Sequence, residues 1–228
     1  RLALEMADQA VLDAQRTARG EQGRLHLGYV SSAMYDSKLP GLLRRLRADW
    51  PGIELSLVQG DVQMLYEALL DLRLDIAIIR APLASPPDAL VVRPFVREKL
   101  CLALYQQHPL AGVGALNLAS LRTDNWISLD DPQGTGLEQV FMDACRIAGF
   151  TPQVAQRIND VTSMISLVSA GVGVALVPLS ARALRLDNVV YIDLQDRLAE
   201  SELSMVYHRH IRSAVVRKVI SLLNTAER

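Results

Sequence analysis

The sequence predicts an α/β protein with a parallel sheet in its N-terminal part and a second, mixed α/β unit after it. Short strands and amphipathic helices alternate through residues 25–80. The segment at residues 74–79 is almost continuously apolar, which is typical of a parallel strand covered on both faces. After residue 90 the pattern becomes antiparallel, which predicts that the chain crosses into a second domain there. With crossovers this short, the first sheet is expected to wind in the right-handed sense.

Composition limits the possible classes of protein. The chain has 228 residues, 50% of them hydrophobic, and a formal net charge of −1. This length suffices for two cores, and this charge predicts that the segment alone binds DNA poorly. No apolar run approaches the roughly 20 residues of a membrane span and no signal peptide is recognisable, so no membrane partner is predicted. Cys101 and Cys145 suggest no disulfide framework, which favours a cytoplasmic location.

Residues 1–19 are predicted to form a helix. Its apolar residues follow a heptad-like spacing at Leu4, Ala7, Val11, Ala14 and Ala18. Two heptads leave open whether the helix docks on its own domain or pairs with a second chain. Gly20 and Gly23 then predict a break and a hinge. Because the chain starts inside this helix without a Met, we expect it to be part of a longer protein.

The stretch at residues 25–32 predicts one lip of a ligand pocket. Apolar residues alternate up to residue 30, and the strand then stops at Ser31 and Ser32. Strand, small polar turn and helix is the order in which open α/β sheets place ligands at the carboxyl ends of their strands. The two hydroxyls could donate hydrogen bonds to a ligand or could only shape the turn. Without a G-x-S-x-G elbow or a recognisable catalytic histidine, no catalytic role is predicted.

Two further helices and strands complete the first unit. Ser37 is predicted to cap a helix that ends at Pro51. The apolar face of this helix comprises Leu39, Leu42, Leu43, Leu46 and Trp50. After a strand at residues 53–58, Asp61 is predicted to cap a second helix. That helix carries Leu65, Ala68, Leu69 and Leu72.

Arg80 ends the next strand, at the same predicted sheet edge as Ser32 and Asp61. Its guanidinium could bind a ligand carboxylate through two parallel hydrogen bonds. It could equally pair with Asp61 and hold the wall of the pocket. The sequence leaves both interpretations open.

The second half predicts another α/β unit. Strands are predicted at residues 90–95, 99–105, 126–129, 153–157, 174–177 and 189–192. Residues 135–138 fit a capping box at the start of a helix, and Asn159 and Asp160 are predicted to cap another that stops at Gly171. A late strand at residues 203–207 is expected to return to the first sheet before a closing helix.

Three patterns have simpler explanations than the functions they suggest. Gly171 and Gly173 follow a helix and precede a strand, the reverse of the dinucleotide-binding order, which favours a helix end. His208 and His210 lack neighbouring cysteine or carboxylate ligands, which favours surface histidines over a metal site. The arginines at residues 44–47 are spread over a polar helix face, which favours a solvated surface over a DNA contact. No metal or cofactor is predicted.

Several motifs resemble the effector-binding domain of LysR-type transcriptional regulators. The family's G-x-L-x-I-G opening is similar to GRLHLGY at residues 23–29, and its L-P…P-x-I-x-L run to LP at 39–40 with WPGIEL at 50–55. Its L-D-x-A-I strand is similar to LDIAI at 74–78, and its H-P-L to residues 108–110. The most specific match is AGVGVALVP at residues 170–178, which resembles A-G-x-G-I-x-x-L-P.

This resemblance implies a periplasmic-binding-protein-like type II fold, with two Rossmann-like subdomains joined by two crossing segments. We therefore expect a linker helix at residues 1–22, regulatory subdomain I at residues 23–94 and 201–228, and regulatory subdomain II at residues 95–200. A small-molecule effector is expected in the cleft between the subdomains. The resemblance also implies a dimer or tetramer, and promoter DNA bound through a winged helix-turn-helix that this chain lacks.

The same resemblance implies a set of residues at the effector site. They are Ser31, Ser32, Asp61, Gly134, Thr135 and Gly136, with Val161 and Thr162 close by and Arg80 added from its place at the sheet edge. Asp61 departs from the Thr or Ser that the family often has. Its carboxylate would repel an anionic effector by on the order of 1 kcal/mol and would favour an amine, a cation or a hydroxyl-rich ligand, unless Arg80 neutralises it. The effector is expected to be a small organic metabolite, and the sequence resembles members that sense aromatic-derived ones.

The main hypothesis is therefore the ligand-sensing and oligomerisation domain of a bacterial transcription regulator. A solute-binding protein of the same fold, linked to transport, is the alternative, and the N-terminal helix without an export signal argues against it. An enzyme is not predicted, because the sequence offers no nucleophile–base pair and no metal-ligand set.

Overall fold

The computed structural model describes residues 2–83, 85–196 and 200–225. Helices and strands alternate through most of this chain. In order they are α1 (Leu2–Ala18), β1 (Gln22–Tyr29), α2 (Lys38–Asp49), β2 (Gly52–Gln59), α3 (Val62–Leu70), β3 (Ile76–Arg80), β4 (Leu90–Glu98), β5 (Leu100–Tyr105), β6 (Ala115–Leu116), β7 (Asn125–Leu129), α4 (Gly136–Ile147), β8 (Gln153–Ile158), α5 (Val161–Ser169), β9 (Ala175–Pro178), β10 (Val189–Leu194), β11 (Ser201–His208) and α6 (Ala214–Thr225). Short 3₁₀ turns occupy Ser31–Met34, Leu118–Leu121 and Leu179–Ala183.

The strands form two lobes, each with its own apolar core. Lobe I is built on a five-stranded sheet in the order β2-β1-β3-β11-β4, in which β2, β1 and β3 are parallel. Lobe II contains a four-stranded sheet in the order β6-β10-β5-β9 and the parallel pair β7-β8. Trp126 of β7 bridges to Val174 and so ties that pair to the rest of lobe II. The predicted α/β class and parallel first sheet are confirmed.

The chain passes between the lobes twice. β4 stays paired with β11 as far as Glu98, opposite Ser201, and β5 begins in lobe II at Leu100. The predicted boundary at residue 95 therefore lies inside a strand of lobe I. The return is made by β11, which runs antiparallel between β3 and β4, as predicted for residues 203–207.

Lobe I packs tightly because β3 is almost entirely apolar and β1 has a glycine where side chains of α3 and of the segment before β3 approach it. Every residue of β3 is buried, in agreement with a strand covered on both faces. Gly28 of β1 leaves room for α3, because a Cβ there would lie 2.6 Å from a methyl of Leu65 and 2.5 Å from one of Leu74. This close approach seats the N-terminus of α3 at the carboxyl edge of the sheet.

Two details of the predicted helices are wrong. Ser37 makes no side-chain cap, and the carboxylate of Asp36 accepts the N–H of Lys38 at 2.7 Å instead. Leu72 does not belong to the buried face of α3, since the helix ends at Leu70. It has a φ of +58° and is 69% exposed.

Helix α1 ends abruptly where it meets α6. The N–H groups of Gly20 and Glu21 donate to the carbonyls of Thr17 and Arg16, and Gly20 has a φ of +66°. A Cβ on Gly20 would lie 2.5 Å from the carbonyl oxygen of Ala214, so this break in the helix is closely packed.

Along α1, Met6, Val11 and Leu12 are exposed. The side chains of Leu4 and Ala7 lie outside the part of the chain that the structure describes. Pairing of this helix with a second chain stays a prediction.

The structure also shows where the glycine, histidine and arginine patterns of the sequence lie. Gly171 follows the C-cap of α5 with a φ of +73°, which confirms the predicted helix end. The arginines at residues 44–47 are exposed on α2, and His210 is exposed after β11.

Candidate functional site

A cavity of about 180 Å³ lies between the two lobes, at the carboxyl ends of strands from both. The lobe I wall follows β1, β2 and β3 and consists of Val30, Ser31, Ser32, Gln59, Gly60, Asp61, Val62 and Arg80. The lobe II wall follows β7 and β8 and consists of Leu129, Asp131, Leu137, Asn159, Asp160 and Val161. A site at strand ends between two α/β units is where this kind of fold places its ligands.

Five of the residues predicted for the site line this cavity: Ser31, Ser32, Asp61, Arg80 and Val161. The other four, Gly134, Thr135, Gly136 and Thr162, are not among the residues that line it. Sequence reasoning missed Asp131 as a wall residue and gave Asp160 only a capping role. The signal was present, because each acid follows a parallel strand and precedes a helix, the same order that singled out Ser32 and Asp61.

Arg80 is the buried cation of the site, with 3% of its surface exposed. Its Nε and Nη2 donate to Ser32 Oγ at 3.3 and 3.1 Å, and its Nη1 donates to Ser201 Oγ at 2.5 Å. Nη2 also donates to Glu98 Oε1 at 3.1 Å. Burial lowers the pKa of Arg80, and the charge of Glu98 opposes that effect. The predicted alternative of an Arg80–Asp61 pair is wrong, because Glu98 takes the ion-pair position.

This network joins the cavity to both crossings between the lobes. Glu98 ends β4 on the outward crossing, and Ser201 begins β11 on the return. The second carboxylate oxygen of Glu98 accepts the N–H of Ser180 in lobe II at 2.9 Å. Arg80 therefore links cavity-lining Ser32 to both crossing strands and, through Glu98, to lobe II.

Three helices begin at the cavity, and each has a carboxylate over its first turn. Asp61 Oδ1 accepts the N–H of Met64 at 2.8 Å, which confirms the predicted cap of α3. Asp160 Oδ1 accepts the N–H of Ser163 at 3.0 Å, as predicted for α5. At α4 the capping carboxylate comes from Asp131 in the preceding loop, whose Oδ2 accepts the N–H of Glu138 at 3.2 Å.

The capping box predicted at residues 135–138 is therefore wrong. Thr135 stands at the N-cap position, but it is 2% exposed and its hydroxyl donates to the carbonyl of Pro132 at 2.7 Å. The carboxylate of Glu138 turns away from the helix start to contact Ser128 and Arg157. The spacing of a capping box was present without its hydrogen bonds.

Gly136 allows Asp131 to approach the helix. Its φ is +64°, and a Cβ there would lie 2.3 Å from Asp131 Oδ2. Its N–H donates to the carbonyl of Pro82 in lobe I at 2.8 Å. On another side of the cleft, the hydroxyls of Tyr35 and Thr162 share a hydrogen bond of 2.6 Å. Two predicted site residues, Gly136 and Thr162, therefore make contacts between the lobes instead of lining the cavity.

The pKa values of two wall carboxylates, Asp131 and Asp160, are shifted in opposite directions. Burial raises the pKa of Asp131, and the neighbouring charge of Asp61 acts in the same direction, while backbone N–H groups and Arg80 oppose it. Burial also disfavours the charged form of Asp160, but hydrogen bonds from Ser163 and Thr162 hold its pKa below the ordinary value.

Replacing Asp131 with Asn is expected to raise the stability of the ligand-free protein at neutral pH. When the pKa of a carboxyl group is higher in the native state than in the unfolded state, the protein becomes less stable as pH rises. The loss occurs between the ordinary pKa of Asp and the raised pKa of the native state. The melting temperatures of wild type and variant should therefore match in acid and separate as pH rises, with the variant higher. Thermal unfolding across this pH range measures the effect.

Asp143→Asn is the matched control, because Gln139 and Arg146 lower the pKa of Asp143. That variant should be less stable than wild type at neutral pH and equal to it in acid. A difference of the same sign for both variants would contradict the electrostatic assignment of Asp131.

Two α/β lobes around a cavity lined by carboxylates, hydroxyls and aliphatic side chains, with the chain crossing twice between them, define a small-molecule-binding domain. The family model described as the LysR substrate binding domain matches residues 18–228. The chain belongs to this family, as its motifs predicted.

Two relatives of the chain are transcriptional regulators. The chain is 34% identical over 219 residues to the HTH-type transcriptional regulator BudR of Raoultella terrigena, covering 96% of this chain and 75% of BudR. It is 32% identical over 224 residues to the HTH-type transcriptional regulator AlsR of Bacillus subtilis (strain 168), covering 98% of this chain and 73% of AlsR. These matches confirm the prediction of a regulator domain and do not support the transport alternative or an enzyme.

Solved structures show the same fold. CbnR, a LysR family transcriptional regulator, superposes with a TM-score of 0.85 at 22% identity, covering 98% of this chain and 76% of CbnR. The BenM effector binding domain, solved with its effector benzoate, gives a TM-score of 0.75 at 21% identity, covering 89% of this chain and 91% of that domain. These likenesses confirm the predicted type II periplasmic-binding-like fold. In the part of the chain that the structure describes, none of the helices is both long and apolar enough to cross a membrane.

Proposed function

We propose that this domain senses a small organic metabolite that binds in the cavity between the lobes, and that occupancy changes the angle between the lobes. The observation that carries the proposal is the two-sided wall, to which both lobes contribute residues from strand ends. A ligand that contacts both walls binds best at one lobe angle, and it therefore shifts the equilibrium toward that angle.

The network around Arg80 supports coupling between the cavity and the rest of the protein. Ser32 lines the cavity and accepts two hydrogen bonds from Arg80, which holds both crossing strands through Glu98 and Ser201. A ligand that hydrogen-bonds to Ser32 therefore acts, through Arg80, on the two crossing strands between the lobes. Allosteric output requires such differential contacts in the two states.

The other elements of the proposal concern the full-length protein. The lobes would be the two regulatory subdomains, and α1 would be the linker helix to a DNA-binding domain. The protein would act in the cytoplasm as a dimer or tetramer on promoter DNA. Support comes from the HTH-type regulators it is similar to and from full-length CbnR, which was solved with its target DNA.

A thermal-shift screen of small acids, amines, alcohols and aromatic compounds would identify an effector, because a ligand that binds the native state raises its stability by mass action. The benzoate bound to the BenM domain supports a ligand of this size class.

Ser32→Ala is expected to weaken binding of that effector by about tenfold or more, since it leaves buried Arg80 N–H groups without an acceptor and removes a hydroxyl from the cavity wall. Calorimetric titration well below the melting temperature separates this effect from lost stability.

Ser56→Ala is the matched control, because Ser56 is exposed on β2 and lies outside the cavity. It should bind the effector as wild type does. If Ser32→Ala binds the effector with unchanged affinity, the effector does not bind in this cavity.

A further inference from the structure

We infer that the cavity selects a cationic ligand, an amine or amino alcohol, over the anion of an organic acid. The inference rests on the proposed function and specifies the class of effector for the same site. Among the wall residues that the structure describes, Asp61, Asp131 and Asp160 carry carboxylates, and Arg80 is the one lysine or arginine. The charge lining the cavity is therefore negative.

Arg80 is poorly placed to offset this charge for an incoming anion. Its charge is balanced by Glu98 at 3.1 Å, which is itself only 10% exposed. Its other hydrogen bonds go to Ser32 and Ser201, so the guanidinium is committed to the protein on three sides. A ligand carboxylate would have to displace one of these buried partners to gain a bidentate contact.

The helix N-termini at the cavity, like Arg80, already have partners within the protein. Free N–H groups and the helix dipole make an N-terminus attractive to an anion, and α3, α4 and α5 all start here. The chain fills each position with its own carboxylate: Asp61 over α3, Asp131 over α4 and Asp160 over α5. An organic acid would therefore meet three negative charges at positions where unpaired backbone N–H groups would otherwise attract it.

The rest of the wall suits a short carbon chain with a polar end. The apolar part of the wall consists of Val30, Val62, Leu129, Leu137 and Val161. Ser32 is 3% exposed and uses its oxygen as the acceptor for Arg80, which leaves its O–H proton to donate to a ligand hydroxyl. A volume of about 180 Å³ corresponds to roughly six waters, which limits the ligand to small metabolites.

Three probes of one shape test the charge preference: n-butylamine, 1-butanol and butyrate, at equal ionic strength and neutral pH. Methyl NMR of the valines and leucines of the wall reports binding in the cavity itself. Butylamine, which is protonated at this pH, is expected to bind about tenfold or more tighter than butyrate, with butanol between them. The double variant Asp61→Asn/Asp131→Asn should reduce this preference by about tenfold or more.

Asp71→Asn is the control variant, because Asp71 is an exposed carboxylate at the other end of α3. It should keep the preference of wild type. Butylamine binding equal to or weaker than butyrate, or no binding of either, would overturn the inference and leave the proposed function in place. The proposed function fails separately if an effector found by screening leaves the cavity methyls unshifted.

Discussion

Replacing Arg80 with methionine is expected to lower the free energy of unfolding by about 3–5 kcal/mol, because it leaves a buried carboxylate without its partner. Arg80 and Glu98 are 3% and 10% exposed and their charged atoms are 3.1 Å apart. The substitution also removes the donor to Ser32 and Ser201, which are both buried. Urea denaturation measures the loss.

Two further variants make this result specific. Arg80→Met/Glu98→Gln should regain part of the lost stability, since a neutral amide at position 98 still accepts the N–H of Ser180 without burying a charge. Arg73→Met removes an exposed ion pair with Asp71 and should cost no more than about 1 kcal/mol. If Arg80→Met costs as little as Arg73→Met, the buried network does not stabilise the junction between the lobes.

Replacing Ser31 with tryptophan is expected to weaken effector binding by about 100-fold or more while the domain stays folded. Ser31 lines the cavity and is only partly buried, so an indole there can fill a space of about 180 Å³ without displacing the core. Because the ligand and the indole would occupy the same volume, the loss should appear in affinity and not in the free energy of unfolding.

Calorimetry with the screened effector and urea denaturation measure the two quantities for Ser31→Trp. Ser120→Trp adds the same side chain at an exposed position of lobe II and should bind the effector normally. An affinity for Ser31→Trp within a few-fold of Ser120→Trp would place the effector outside this cavity.

Local patterns in the sequence predicted the elements that local forces determine. Alternation to residue 30 and a helix starting after a polar turn predicted β1 and the turn at Ser31 and Ser32. The Asp61 cap was also predictable, because its acceptor oxygen and the N–H of Met64 are three residues apart. The family motifs extended this to the whole fold, since they mark strand ends and tight turns in both lobes.

The caps at Ser37 and Thr135 were not predictable in the same way, because other groups compete for the same bonds. Asp36 precedes Ser37 and takes its place as acceptor, and the hydroxyl of Thr135 finds the carbonyl of Pro132. The acceptor at the start of α4 is Asp131, five residues before the helix and outside the spacing of a capping box. Its approach depends on the missing Cβ of Gly136, and the sequence pattern does not reveal that these two residues meet.

The partners of Arg80 depend on the complete fold. Ser201 is separated from it by 121 residues, and Glu98 reaches it only because β4 and β11 are paired at that point. The sequence placed Arg80 at the correct sheet edge and left two interpretations of its role. The charge of the cavity could not be counted without knowing that Glu98, and not Asp61, balances this arginine.

A crystal structure with the screened effector would test most directly whether the crevice between the lobes is the sensing site. We expect electron density for the ligand in contact with Ser32 in lobe I and Asp131 in lobe II. Density elsewhere, for example in the groove between α2 and β2, with the crevice free of effector, would contradict this.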